Sequence, residues 1–245
     1  GPLTIEQFKG GQSNPTLKLI TPTRTYVMRT KPGPAAKLLP SAHAIEREYR
    51  VMDALAATDV PVARMHTLCE DEAVIGRAFY VMDFVDGRVL WDQSLPGMQP
   101  DQRHAIYAEM NRVIAALHKV DYAALGLGDF GKPGNYFARQ IGRWSKQYKA
   151  SETEQIEAMD RLIEWLPEHI PVDDGATAIV HGDYRLDNLI FNPTEPSILG
   201  IPDWELSTIG QSRAGIADTL LRWPNRTAGL PRLARIDARP LGYPT

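Results

Sequence analysis

One segment of the chain gathers residue types that could do chemistry: Ile179-Val180-His181-Gly182-Asp183-Tyr184-Arg185-Leu186-Asp187-Asn188-Leu189-Ile190-Phe191. Apolar, strand-like ends enclose a polar loop that holds an Asp and, five residues on, an Asn. A short strand is predicted at Ile198 to Ile201, and Asp203-Trp204-Glu205 follows it. Phosphoryl transfer needs such a set, with one carboxylate orienting the attacking hydroxyl and oxygen ligands holding Mg²⁺ against the phosphates. A strand–loop–strand hairpin would bring Asp183, Asn188 and Asp203 to a common edge. The competing reading is a polar turn between strands, since Asp and Asn are common turn formers. A turn alone leaves the ordered companions unexplained.

The ordered set His181-Gly182-Asp183-x-x-x-x-Asn188, then Asp203-Trp204-Glu205, resembles the aminoglycoside phosphotransferase and choline kinase-like family. The full run is most similar to the branch of kinase-like domains fused to acyl-CoA dehydrogenases. Gly10-Gly11-Gln12-Ser13-Asn14-Pro15, Leu38-Leu39-Pro40-Ser41-Ala42-His43 and Phe79-Tyr80-Val81-Met82 extend the likeness over the first 210 or so residues. The resemblance implies an α+β, protein-kinase-like fold with a small β-rich N-lobe and a larger, mainly helical C-lobe. It also implies ATP and Mg²⁺, with Asp183 as the catalytic Asp and Asn188 and Asp203 as metal ligands.

On the nucleotide side the likeness makes Gly10 to Asn14 the phosphate-covering hairpin, where backbone amides and the Ser13 hydroxyl could reach phosphate oxygens. An ordinary hairpin turn is the alternative. Arg29 falls where a kinase places its phosphate-binding Lys, and its forked donor set can do that work; Lys31 is the substitute. Glu48 is the expected partner of that cation and Glu46 the competing choice. Glu48 directly precedes Tyr49 on the apolar stripe, which places it nearer the interior. Met82 to Phe84 would form the hinge that reads adenine. His181 is read as a brace for the loop and Asp187 as structural. Gly128-Asp129-Phe130-Gly131 has the letters of a kinase metal-binding motif, but it precedes the catalytic loop and is read as a loop between helices.

The elements that must position these residues follow from pattern. Strands are expected at Leu3 to Phe8, Thr16 to Ile20, Thr25 to Arg29 and Ala78 to Val85, the first two forming a hairpin around Gly10-Gly11. A helix capped by Ser41 carries Ile45, Tyr49, Met52 and Leu55 and should end near Thr58-Asp59. A second helix begins near Asp101. Ser151-Glu152-Thr153-Glu154 reads as a capping box ahead of Ile156, Met159, Leu162 and Ile163, a stripe that should stop by Pro167. The lobe boundary is expected near Asp86-Gly87, giving residues 1–86 as the nucleotide-binding N-lobe and 87–245 as the C-lobe.

Composition narrows the function classes. Hydrophobic residues make up 43% and the net charge is −3, so no basic field points to nucleic acid or an anionic membrane. The single cysteine, Cys69, rules out an intramolecular disulfide and a cysteine metal cluster. No apolar run nears the roughly 20 residues of a spanning helix, and Gly1 to Ile5 lacks a signal-peptide pattern. The expectation is a cytoplasmic protein, trimmed at its N-terminus because it lacks an initiator Met.

Two departures from the family pattern bear on activity. Pro202 precedes Asp203 where a residue with a backbone N–H is usual, and the tail after Gly210 reads as shortened. From Arg213 to Arg239 the tail has more Arg than Asp and no Glu, which suits an anionic acceptor. The leading expectation is therefore a kinase acting on a small-molecule hydroxyl, with a hydroxyacyl-CoA preferred to an aminoglycoside and a functional link to an acyl-CoA dehydrogenase. The rival is a catalytically impaired, pseudokinase-like module that binds nucleotide or a partner. No residue pattern supports dehydrogenase activity itself.

Overall fold

A computed structural model describes residues 1–8, 14–32 and 44–221. Its first sheet is antiparallel, built from β1 (Thr4–Gln7), β2 (Thr16–Ile20), β3 (Thr25–Thr30), β4 (Met65–Cys69) and β5 (Phe79–Asp83) in the order β1-β2-β3-β5-β4. The central strand β3 puts Val27, Arg29 and Thr30 in the interior, so a cation is buried in the middle of the sheet. Against β4 and β5 packs α1 (Ile45–Leu55), whose Ile45, Glu48, Val51, Met52 and Leu55 are buried. That spacing is the inward stripe of a helix, with one carboxylate among the apolar residues.

The expected cap Ser41 lies outside the described residues, as do Gly10 to Ser13, Leu38 to His43 and the tail from residue 222. The helix stops at Leu55, earlier than the sequence suggested, because the Thr58 hydroxyl donates to the Leu55 carbonyl at 2.7 Å. Strand β4 was not anticipated. It is short and mixed in character, with a bulge between Met65 and Thr67 that breaks any regular alternation.

The remainder holds β6 (Arg88–Val89), α2 (Pro100–Lys119), α3 (Tyr136–Ser151), α4 (Glu157–Glu168), β7 (Thr177–Val180), β8 (Ile190–Phe191), β9 (Ile198–Gly200), β10 (Thr208–Gln211) and α5 (Ser212–Leu221). Pro100 opens α2, and the Gln99 amide donates to the Gln102 side chain at 2.8 Å, closing a capping box. Ile106, Tyr107, Met110, Val113, Ile114 and Leu117 form its buried stripe.

Two expectations need correction here. Ser151 does not cap α4: it is the last residue of α3, its hydroxyl hydrogen-bonds the Gln147 and Tyr148 carbonyls, and α4 begins six residues later at Glu157. The helix α3, which buries no residue fully, was not read from the sequence. Nor does the polar loop sit inside a simple hairpin. β7 pairs with β10, whereas β8 pairs with β6 and β9. The loop from residue 181 to 189 thus passes from one small sheet to another, and two ladders fix its ends.

Around this junction Phe130, Tyr184, Leu189, Phe191 and Trp204 are all buried in one continuous core with α1 and α2. Among the described residues no helix is long and apolar enough to cross a membrane. Leu117 is fully buried on α2, while Val172 is 88% exposed. Leu117→Ala is expected to cost about 2–5 kcal/mol of unfolding free energy in urea titration, and Val172→Ala to stay within about 0.5 kcal/mol.

Candidate active site

The 181–188 loop is shaped by its first two residues. His181 is buried against Trp204, its ring 4.6 Å away edge-on. Its Nε2 lies 3.1 Å from the Pro202 carbonyl and its Nδ1 accepts the Asp183 amide at 3.3 Å. Those partners assign the proton to Nε2, and burial holds the ring's pKa below its ordinary value, so it stays neutral. One imidazole therefore joins the start of the loop to the residue before Asp203. Gly182 has φ +89°, and a Cβ there would lie 2.7 Å from the Leu206 carbonyl oxygen, so both the turn and the close approach require glycine.

Asp183 is half-buried. The Asn188 amide nitrogen donates to its Oδ2 at 2.7 Å and to its carbonyl at 3.0 Å, and Arg185 Nε donates to Oδ2 at 3.1 Å. Arg185 also pairs with Asp187 at 3.0 Å. The short 3-10 turn Leu186–Asn188 folds Asn188 back onto Asp183, and Leu186 anchors it in the core. With its nitrogen committed to Asp183, Asn188 is left with its carbonyl oxygen for a cation.

Asp203 adopts φ +63°, a conformation uncommon outside glycine and enriched for Asp and Asn. Its Oδ1 accepts from Arg29 Nη2 at 2.8 Å, and Glu205 stands 3.6 Å from the same nitrogen. Arg29 Nη1 reaches Glu48 at 3.3 Å. Glu48 is held in turn by Asn14 at 2.9 Å and by the Tyr80 hydroxyl at 3.2 Å. A continuous polar chain thus runs from the end of the glycine-rich turn through α1 and β3 to Asp203. Lys31 pairs separately with Glu46, so the two candidate cations and two candidate carboxylates sort into two distinct pairs.

A model of the phosphotransferase enzyme family matches residues 4–244. The chain belongs to that family. Mouse acyl-CoA dehydrogenase family member 10 is 48% identical over all of this chain, which covers 23% of that protein. The probable acyl-CoA dehydrogenase IBR3 of Arabidopsis thaliana is 45% identical over 89% of the chain and 28% of its own length. The chain therefore spans about a quarter of these curated relatives. A crystal structure from Ralstonia eutropha, provisionally named an aminoglycoside phosphotransferase, aligns with TM-score 0.89 and 64% identity over 100% of this chain and 71% of that one. The aminoglycoside phosphotransferase APH(4)-Ia, solved with ADP and hygromycin B, aligns over 88% of this chain and 70% of that one with TM-score 0.62 and 15% identity, a likeness of fold. The chain has the protein-kinase-like fold, with an antiparallel sheet in its N-lobe.

The remaining predicted site residues are distributed as follows. Met82 is inside β5, paired with Val27 on one side and Met65 on the other. The Asp83 and Phe84 amides donate to the Arg64 and Thr25 carbonyls at 2.9 and 3.4 Å. Phe84 stacks with Phe8 at 6.5 Å, and Lys18 Nζ lies 4.4 Å from its ring centroid. Ser13 lies outside the described residues. Pro202 follows β9, which ends at Gly200, so its missing N–H breaks no ladder bond; the preceding Ile201 amide donates to Pro61 at 3.0 Å.

Sequence reasoning passed over three contributors. Asn14 was read only as part of a phosphate cover, yet it clasps Glu48. Tyr80 lay in a strand that looked wholly apolar. Arg185, two residues from Asp183, was the readable one, a cation close in sequence to two carboxylates, and it pairs with both Asp183 and Asp187.

The donor set of this site fits Mg²⁺. Asn188, Asp203 and Glu205 offer hard oxygens, and Mg²⁺ takes one or two carboxylates with phosphate and water completing its shell.

Burial works against the Arg29 charge, but Glu48, Tyr80 and Asp203 outweigh it and hold the guanidinium protonated. Burial also raises the Glu48 carboxyl to about 7, against the pull of Arg29. Between its ordinary value of 4.5 and about 7 the folded chain keeps a proton that the unfolded chain releases. Its contribution to stability is therefore full below that window and declines as pH rises through it. Glu48→Gln should flatten this part of the stability profile, measured by urea unfolding between about pH 4 and about pH 8; a slope that persists unchanged would remove Glu48 as its source.

Proposed function

We propose that this phosphotransferase moves the γ-phosphoryl group of ATP to the hydroxyl of a small acyl-type acceptor. The observation that carries the reading is the 2.8 Å contact between Arg29 and Asp203, which couples the cation in the N-lobe sheet to the carboxylate beside the 181–188 loop. The sheet ends at Asp83 and β6 pairs elsewhere, which supports a lobe boundary near Asp86-Gly87, residues 1–86 binding nucleotide and 87–245 the acceptor.

In this reading Asp183, fixed by Asn188 and Arg185, accepts the hydrogen bond of the acceptor hydroxyl and then its proton. The hydroxyl oxygen forms a bond to the γ-phosphorus as the bond to the β-bridging oxygen breaks, and ADP leaves. Arg29, steadied by Glu48, meets phosphate oxygens, with Ser13 and its neighbours covering them. Adenine packs near Met82 and Phe84, where the engaged amides leave ring and carbonyl contacts. Bound at Asn188 and Asp203, Mg²⁺ would neutralise developing phosphate charge. Arg185 adds a fixed positive charge beside the base.

Beside the loop lies a cavity of about 270 Å³ between Leu117 and His118 of α2, Tyr136 and Trp144 of α3, and His181 and Gly182. None of its lining residues is Asp or Glu, among the described residues. An apolar, aromatic wall without carboxylates suits an acyl chain better than a polycationic aminoglycoside. The kinship with dehydrogenase-linked proteins supports the same acceptor class, a hydroxyacyl-CoA. Because Pro202 costs no ladder bond, the rival reading as an impaired module loses its main structural motive.

Two measurements test this. Calorimetry with and without Mg²⁺ should show Mg²⁺-dependent ATP binding, and ATP consumption should rise with hydroxyacyl-CoAs and not with aminoglycosides; turnover on aminoglycosides alone would overturn the acceptor assignment. Asp183→Asn is expected to lower kcat by about 10²–10⁴-fold while leaving ATP affinity within about threefold. Near-normal turnover would remove Asp183 from its role.

A further inference from the structure

The segment Gly128-Asp129-Phe130-Gly131, set aside above as a metal motif, is held by α1. Arg47 and Arg50 lie three residues apart and so share a side of that helix. Arg50 donates to the Gly126 carbonyl at 2.6 Å and pairs with Asp129. Arg47 does more. Its Nη2 donates to the Phe130 carbonyl at 2.8 Å and to the Ser207 carbonyl at 3.3 Å, and its guanidinium lies 4.1 Å from the centroid of the Phe130 ring. Both partners are buried, Phe130 at 1% and Ser207 at 4% exposure.

Ser207 belongs to the turn that follows Asp203. Its amide and its hydroxyl both donate to the Trp204 carbonyl, at 3.0 and 2.6 Å. Trp204 is fully buried and its indole nitrogen donates to Ile201 at 2.7 Å. That turn is therefore rigid, and the grip of Arg47 transmits its position to α1. The adjacent residue on the helix, Glu48, is the one that holds Arg29. Burial and the neighbouring Arg50 both disfavour the Arg47 charge. A cation kept there against that cost bridges two carbonyls through one nitrogen and lays its plane over a ring, and that stacking is what lysine cannot reproduce in full.

We propose that Arg47 is a positioning residue. It clamps α1 to the Trp204–Ser207 turn, so that Glu48 and Asp203 approach Arg29 from opposite sides at a fixed separation. The inference rests on the reading of Arg29 as a phosphate-binding cation.

The test is a double-mutant cycle on the Kd of the full chain for Mg²⁺·ATP, measured by calorimetry. Arg47→Ala and Glu48→Gln are each expected to weaken binding by roughly tenfold, and the double variant by roughly tenfold rather than a hundredfold, because both act through one group. Arg47→Lys should recover part of the loss. Additive effects, or an Arg47→Ala variant within about twofold of wild type, would overturn the inference. Should Arg47→Ala fail to fold, Phe130→Leu removes the stacking ring and enters the same cycle with the same two outcomes. A wild-type chain that binds no Mg²⁺·ATP sinks the phosphotransfer reading and this inference together; binding with additive variants sinks this inference alone.

Discussion

A charge buried in the centre of a β-sheet is costly unless its surroundings supply both counter-charge and hydrogen bonds, and Arg29 sits in the middle of β3. Everything around it can be understood as the answer to that cost. Glu48 gives the counter-charge and requires α1 to lie flat on the sheet. Asn14 and Tyr80 satisfy the lone pairs that Arg29 leaves on Glu48. Asp203 supplies a second carboxylate, which requires the β9–β10 connection to reach up to the sheet. A single guanidinium thus obliges four separate stretches of chain to meet. Removing one of its partners leaves a desolvated charge behind, which is why such an arrangement fixes geometry even where it adds little net stability.

The second fixed point is the imidazole of His181. It spans the entry to the polar loop and the carbonyl of Pro202, so the carboxylates of Asp183 and Asp203 are registered through one neutral, buried ring. The proline matters less than its position suggested. What the turn uses at residue 202 is the acceptor oxygen, which proline retains, rather than the donor it lacks.

How far the sequence revealed this depended on the range of the signal. Asp183, Asn188 and Asp203 stood out because their order and spacing carry chemistry whatever the packing. Arg29 was preferred to Lys31 from the family likeness and Glu48 to Glu46 from helical phase, since Glu48 adjoins the apolar stripe; the structure shows the pairs Arg29–Glu48 and Lys31–Glu46 both formed. The strand β4 was hidden by a bulge that breaks its alternation. The Ser151 pattern misled because a capping box is a local motif, and tertiary context gave that serine to the end of the preceding helix. The carbonyls gripped by Arg47 have no signature in residue types at all.

Strand β1 lies at the edge of the first sheet with all four residues exposed. Among the described residues it pairs with β2 alone, and it contributes no side chain to the core. Lifting it therefore breaks main-chain hydrogen bonds but exposes little new apolar surface, so its free energy of local opening is low relative to that of β3 or β5. On the proposed reading this strand belongs to the roof over the phosphates, and that roof can rise without loosening the floor. Under the proposed phosphotransfer, in which ADP must leave after every cycle, that separates the energetics of the exit from the energetics of the fold.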